Sequence, residues 1–364
     1  MGVLLNVDQL TNYRKKQIEI INTTAQKLKA SFYLLANSKK KNKLPLINKF
    51  INNNLIKSEP INVGKYCIWQ PKLISSIFLK KPKLAIIWGE VTRINSWVIL
   101  ILKKLRIIST DITLWTHGIY GRENYFLKKI RLLYLSLADY LLVYTFRSKE
   151  LLVLNGISKK KIIVIGNSIE NINKYKIRES IKTNKECLNI IFIGRNVVRR
   201  KLDILEEIIK KWDEDFYLNY IFIGPEIILK KERTYKSSKS IYLPEIYDPN
   251  EIQEYLNWAD FGICPDYIGL FCITCLNSGL PLICNSDVSN HGPEASALMP
   301  NINSIEIERP ISISTLKESL KKAYQSKLNH KFESKAVYKS LKIEFHQEFI
   351  EKSIKSFIEE RLLS

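Results

Sequence analysis

Four cations crowd into seven residues at Arg195, Arg199, Arg200 and Lys201, directly after the apolar run 188–193 and Gly194. Such a run reads as a buried strand, and the glycine lets the chain turn tightly at its tip. Arginine presents a planar fork that fits phosphate oxygens, and lysine adds a point charge. Cations at a helix start oppose the helix dipole and need compensation. The cluster therefore suits a diphosphate better than a solvated helix start.

A second constellation combines Pro265, Asp266, Tyr267, Ile268, Gly269 and Leu270 with Gly279-Leu280-Pro281 and with His291, Gly292, Pro293 and Glu294. It reads as strand end, glycine turn, helix, strand and acidic loop. A glycine turn entering a helix offers backbone N–H groups to a phosphate. Glu294, on the following loop, could accept from ribose or sugar hydroxyls. A third group, Trp115-Thr116-His117-Gly118, puts His117 at a strand tip within reach of a substrate. A histidine satisfied by neighbouring backbone is the plainer alternative there.

The elements that would position these groups alternate along the chain. Strands are expected at 3–7, 31–36, 84–88, 112–115, 140–144 and 161–165, with helices at 14–28, 95–105, 127–137 and 147–155. The segment 37–65 is polar and reads as irregular. After a charged linker the pattern restarts, with strands at 188–193, 217–223, 240–243, 261–264 and 281–285. Helices are expected at 202–212, 249–258 and 268–278, and a long charged helix near 341–362. This order implies mostly parallel sheets covered by helices on both faces. In such sheets ligands sit at the carboxyl ends of the strands.

Length and charge narrow the partners. At 364 residues the chain suits two domains. Its net charge of +21 is uneven: residues 1–180 hold 32 Lys and Arg against 10 Asp and Glu, and residues 181–364 hold 25 against 26. A basic half calls for nucleic acid, an anionic leaflet or a phosphate-bearing substrate. A nucleic-acid role lacks interleaved aromatics in a basic run or a known binding module.

Several features read as structural. Cys272 and Cys275 form a C-x-x-C, but their apolar setting, shared with Cys264 and Cys284, favours buried thiols over zinc. A reducing cytoplasm fits all six cysteines as thiols. Asp213-Glu214-Asp215 mimics a metal-binding Asp-x-Asp but falls between a helix and a strand, so a solvated loop is expected. The uncharged stretch 267–286 contains glycines, a proline and asparagines, which breaks a membrane-helix reading. The opening MGVLLNV lacks the basic flank and apolar length of a secretory signal.

Together these segments resemble the retaining GT-B glycosyltransferases of bacterial surface-polysaccharide assembly. GRNVVRRK is similar to the family's Gly-Arg…Lys segment, in which an Arg and a basic residue five positions later bind the donor diphosphate. Those positions are Arg195 and Arg200, with Lys201 where many members have Gly. ICPDYIGLFCITCLNSGLPLIC resembles the family's Pro-containing strand end, glycine turn, helix and Gly-x-Pro strand, and HGPE the loop after it. WTHGIYGRE resembles the segment bearing the active-site His, here His117. LADYLLVYTFRSKELLVLNGISKKKIIVIGNSIE resembles the end of the first domain. The likeness runs from about residue 84 to about residue 300.

Two departures stand out. Many members carry Glu, seven residues, then Glu across the glycine-turn helix, and the matching positions are Asp266 and Thr274. The second carboxylate, a donor-ribose contact, is missing, and Glu294 is the candidate replacement. The loop from Asp8 to Tyr13 lacks the glycines often found there, which leaves the acceptor side open.

The resemblance implies an α/β GT-B fold of two Rossmann-like domains facing a cleft, with C-terminal helices packing back toward the first domain. The domains would be 1–170 on the acceptor side, a linker at 171–187, a nucleotide-sugar domain at 188–340 and a C-terminal helix at 341–364. The implied activity is hexosyl transfer from a nucleotide-diphosphate sugar to a glycan or lipid-linked acceptor, with retention. His117, Arg195 and Arg200 would be catalytic. Gly194, Arg195, Arg200, Lys201, Asp266, Gly269, Leu270 and Glu294 would bind the donor. No metal and no cofactor are expected, because side-chain cations carry the charge and the nucleotide sugar is a substrate. The expected location is the cytoplasm, peripheral on an anionic inner membrane face through Lys39–Lys43, Lys103, Lys104 and Arg106, with no nucleic acid bound. A sugar-nucleotide epimerase of similar architecture is the alternative enzyme, and a basic nucleic-acid-binding protein the non-enzyme alternative.

Overall fold

The computed structural model describes residues 1–9, 12–37, 55–119, 123–167, 175–178, 185–285, 287 and 291–364. The chain divides into two compact units, Met1–Glu170 with His346–Ser364, and Asn171–Phe345.

The first unit begins with β1 (Gly2–Gln9), α1 (Asn12–Lys27), β2 (Ser31–Asn37) and β3 (Leu55–Lys57). A hairpin follows, β4 (Ile61–Val63) and β5 (Cys67–Trp69), then α2 (Leu73–Lys80) and β6 (Leu84–Trp88). The unit continues through α3 (Ile94–Lys104), β7 (Asp111–Trp115), α4 (Tyr125–Ser136), β8 (Tyr140–Val143), α5 (Phe146–Leu154) and β9 (Ile162–Val164). Seven strands pair in parallel in the order β3-β2-β1-β6-β7-β8-β9. Both faces are covered, so the strands are mostly apolar, and β6 is buried at every position. Val3, Leu5 and Val7 point to the face with Ile18 and Ile21 of α1. Leu4, Ala85 and Ile87 point to the other, against Ile99 and Leu100 of α3 and Tyr134 of α4.

The second unit contains β10 (Cys187–Ile193), α6 (Leu202–Lys210), β11 (Tyr217–Ile223), β12 (Lys231–Thr234) and β13 (Ser238–Leu243). It continues with α7 (Pro249–Trp258), β14 (Phe261–Cys264), α8 (Phe271–Asn277), β15 (Leu282–Cys284), β16 (Ser304–Glu306), α9 (Ile313–Leu328) and α10 (Ser334–Lys339). The sheet order is β12-β13-β11-β10-β14-β15-β16, parallel except for the edge pair β12–β13. Strand order reverses between β10 and β14, which is where such a sheet opens a crevice for ligands. At the opposite end Lys327 of α9 is buried against Asp260 (2.7 Å) and the Cys187 carbonyl (2.7 Å). That staple fixes the starts of both switch-point strands.

The last helix, α11 (Gln347–Leu363), belongs to the first unit. Its stripe of Ile350, Ile354, Phe357, Ile358 and Leu362 is buried in the core that α1 lines. Each such side chain contributes about 1.5–3 kcal/mol. The helix starts at Gln347 rather than near 341, because Leu341 and Phe345 are buried in the second unit.

Other expectations are corrected too. Of the segment read as irregular, 38–54 lies outside the described residues, but β3 and β4 form in the remainder. The helix expected from 268 starts at Phe271, with Leu270 as its N-cap, and the Ile268 N–H in the turn before it is donated to His291. β12, of sequence KERT, is an exposed polar edge strand without the apolar alternation that marks strands. Of the proposed linker, 175–178 is described, and Arg178 is held by the second unit through Ser278 and Ser334.

Candidate functional site

The two stretches singled out for chemistry in the second unit flank its switch point. Gly194 follows β10 with φ +143°, a conformation that favours glycine. The chain then forms a 3-10 turn, Val198–Arg200, and Lys201 takes a left-handed conformation as α6 begins. This double turn swings Arg200 back over the sheet. A β-carbon built on Gly194 would lie 2.7 Å from Arg200 Nη1, and one on Gly269 would lie 3.5 Å from Nη2. The guanidinium thus spans the switch point between two residues that lack side chains. Its Cζ lies 5.0 Å from the Phe192 ring centre.

Arg200 is half-buried, and its Nε is buried without a hydrogen-bond partner among the described residues. Burial pulls its pKa down, and the Arg195 and Arg199 charges add to that pull. A cation crowded by cations, with a donor unmatched among the described residues, favours an anion beside it. Arg195 is exposed on the strand tip and Lys201 is partly exposed. Arg199 is engaged differently: its Cζ stacks 3.4 Å over the Tyr267 ring, and its carbonyl accepts the Tyr267 N–H.

The turn after β14 is fastened on its other side. Asp266 pairs with Arg309 (2.8 Å), which also donates to Asn285 Oδ1 (3.1 Å). Asp266 is therefore already engaged by a cation. His291 Nδ1 accepts from the Ile268 N–H (3.3 Å). Burial holds the His291 pKa down to about 4. Glu294 is buried, and its Oε2 and the Tyr267 hydroxyl border the same point beside Gly292. Leu270 sits at the entry to α8, and the Thr274 hydroxyl donates to the Leu270 carbonyl (3.4 Å). Gly194, Arg200, Gly269 and the engaged Asp266 thus gather at the carboxyl end of the sheet, with Glu294 beyond Tyr267.

His117 lies in the first unit, two residues past β7. Its ring meets Trp88 edge-on (5.8 Å) and lies tilted against Tyr144 (4.9 Å). Its pKa is held down to about 4, by burial first and then by the Arg14 and Arg131 charges. It is therefore neutral at pH 7. Arg14 stacks 3.9 Å over Trp88, and Arg131 is clamped by Glu123 (2.6 Å) and Glu90 (3.3 Å). Sequence reasoning passed over Arg14, Trp88, Tyr144, Arg131 and Arg309. The one available signal was that Arg14 lies in the first turn of the helix after the first strand.

The remaining motifs are structural. Cys264, Cys272, Cys275 and Cys284 are buried, and burial pushes their thiols up, Cys264 to about 12. Among the described residues no cluster of His, Cys, Asp and Glu could hold a metal ion. Asp213 and Glu214 pair with Lys317 and Lys321 of α9. Among the described residues no helix is long and apolar enough to cross a membrane. Lys39–Lys43 lie outside the described residues, and Lys103 is paired with Asp111 and Asp139. Lys104 and Arg106 remain exposed.

No protein-family model matches the chain, and no curated protein matches it by sequence. Solved structures do match in fold. The apo form of the lipopolysaccharide outer core galactosyltransferase WaaB is 12% identical with a TM-score of 0.65, covering 98% of this chain and 99% of that one. The S. aureus MnaA–UDP co-structure is 13% identical with a TM-score of 0.62, covering 100% and 97%. The UDP-GlcNAc 2-epimerase from Methanocaldococcus jannaschii is 15% identical with a TM-score of 0.56, covering all of both chains. The fold is the two-domain GT-B fold.

Proposed function

We propose that this chain is a glycosyltransferase that moves a hexose from a nucleotide-diphosphate donor to a glycan or lipid-linked acceptor, with retention, in surface-polysaccharide synthesis. The observation that carries this reading is Arg200, a half-buried guanidinium with an unsatisfied donor between Gly194 and Gly269 at the switch point. As the bond from the sugar anomeric carbon to the diphosphate breaks, the electron pair stays on the diphosphate. Arg200 neutralises that charge in place, with Arg195 and Lys201 at the rim. Preorganised donors of this kind are worth about 3–4 kcal/mol each. Side-chain cations do this work, so the chemistry calls for no metal. Glu294 contacts donor hydroxyls in place of the missing second carboxylate, and neutral His117 hydrogen-bonds the donor sugar without acting as a base.

Support for a nucleotide donor comes from the MnaA structure, which holds UDP in the same fold. The M. jannaschii structure keeps a second reading in play, since an epimerase of this fold also works on a UDP-sugar. Product analysis with nucleotide sugars separates the two. A transferase consumes donor only with acceptor present, beyond slow hydrolysis, whereas an epimerase converts donor alone.

The acceptor side is proposed to meet an anionic membrane surface on the cytoplasmic face. Leu79, Ile101, Leu105 and Ile107 are exposed in the first unit, within three residues of the exposed Lys80, Lys104 and Arg106. Each basic residue near an anionic leaflet is worth about 1 kcal/mol. The protein is expected to sediment with anionic vesicles at low salt and not with neutral ones. Equal binding to both would contradict this.

A further inference from the structure

We infer that His291 is a positioning residue, whose unprotonated Nδ1 fixes the turn after β14 and so sets Gly269 opposite Arg200. Three consecutive residues of that turn are each fastened to a different segment. Asp266 is held by Arg309, Tyr267 by Arg199, and Ile268 by His291. The next residue is Gly269, which faces Arg200 Nη2. A slip of the turn would therefore open or close the cradle directly. The role rests on the donor-binding reading proposed above.

The bonds around the imidazole admit one tautomer. The Ile268 N–H is a donor, so Nδ1 must be bare. Asn285 Nδ2 donates to the Ile307 carbonyl (2.8 Å) and to Glu306 (3.4 Å). Asn285 Oδ1 accepts from Arg309 Nε (3.1 Å) and from the Asp287 N–H (3.2 Å). The remaining contact, Asn285 Oδ1 to His291 Nε2 (3.4 Å), then requires Nε2 to carry the proton. His291 thus links the Ile268 backbone to Asn285, and Arg309 returns from Asn285 to Asp266. The ring closes around the turn.

Protonation would set a second N–H against the Ile268 N–H and break this link. Burial resists it, as does the charge of Arg309, while Asp266 and Asp287 favour it. The Tyr267 ring also borders the imidazole.

Two substitutions separate the atoms. In His291→Asn the side-chain oxygen can stand where Nδ1 stands and keep the Ile268 bond. In His291→Gln the amide reaches the Nε2 position instead and leaves Ile268 unmatched. Amide exchange at Ile268 is measured first, without nucleotide. Protection is expected in the parent protein and in His291→Asn, and loss of protection in His291→Gln. UDP, GDP, ADP and CDP are then titrated by calorimetry. With the parent's preferred nucleotide, His291→Gln is expected to bind about tenfold more weakly, from one lost buried hydrogen bond. His291→Asn should recover most of that loss. Affinity of the parent should also fall as pH approaches 4.

Equal exchange in the two variants overturns the role. So does loss of Ile268 protection with unchanged nucleotide affinity. If the parent binds none of the four nucleotides, the donor-binding reading fails, and the role in donor binding fails with it. The exchange pattern would still report whether His291 holds the Ile268 N–H.

Discussion

Replacing Arg200 with alanine should separate binding from folding. The guanidinium spans Gly194 and Gly269, and its Nε is buried without a partner among the described residues. Charge-assisted hydrogen bonds to an anion are worth about 1.5–3 kcal/mol, which corresponds to roughly 10- to 150-fold in affinity. The unliganded protein loses little. The contact with Phe192 contributes at most about 1 kcal/mol at its 5.0 Å separation. Relief from Arg195 and Arg199, and from an unsatisfied buried donor, offsets it. Arg200→Ala should therefore unfold in urea within about 1 kcal/mol of the parent. Its nucleoside diphosphate affinity by calorimetry should fall at least tenfold. Arg195→Ala, at an exposed position, should lose less. Unchanged affinity, or an unliganded protein weakened by more than about 2 kcal/mol, would show a structural rather than an anion-binding guanidinium.

Four further outcomes are expected. Gly269→Ala places its methyl at ordinary contact distance, 3.5 Å from Arg200 Nη2, so it should fold normally yet bind diphosphate poorly. Gly194→Ala would meet Nη1 at 2.7 Å in a strained conformation, so thermal melts should show a loss of both stability and affinity. His117 titrates near pH 4 when folded and near 6.5 when unfolded. The unfolded chain therefore binds the extra proton between those values, and stability falls as pH drops from 6.5 toward 4, by about 3 kcal/mol from this group. His117→Gln should remove that contribution and leave the similar one of His291. Finally, sugar transfer should survive chelation of divalent ions, and a tenfold loss restored by added Mg²⁺ would contradict the side-chain account.

The sheets were legible because most of their central strands are largely apolar runs: β6, β11 and β14 lie where the sequence puts them. The cation cluster was equally legible as charge. Which cation enters the crevice was not, because that depends on the backbone of Gly194 and Lys201, which sends Arg200 inward and leaves Arg195 outside. Pairings across long separations left no local trace. Arg309 reaches Asp266 from 43 residues away, and His117 is framed by Trp88 and Tyr144 from neighbouring strand ends. Lys103 looked like a membrane cation by sequence, yet two strand-edge aspartates claim it.

A crystal structure of the protein soaked with UDP, or with the nucleotide it prefers, bears most directly on the central claim. The diphosphate oxygens are expected within hydrogen-bonding distance of Arg200 and beside Gly269. A diphosphate bound elsewhere, with the Arg200 guanidinium untouched, would contradict it.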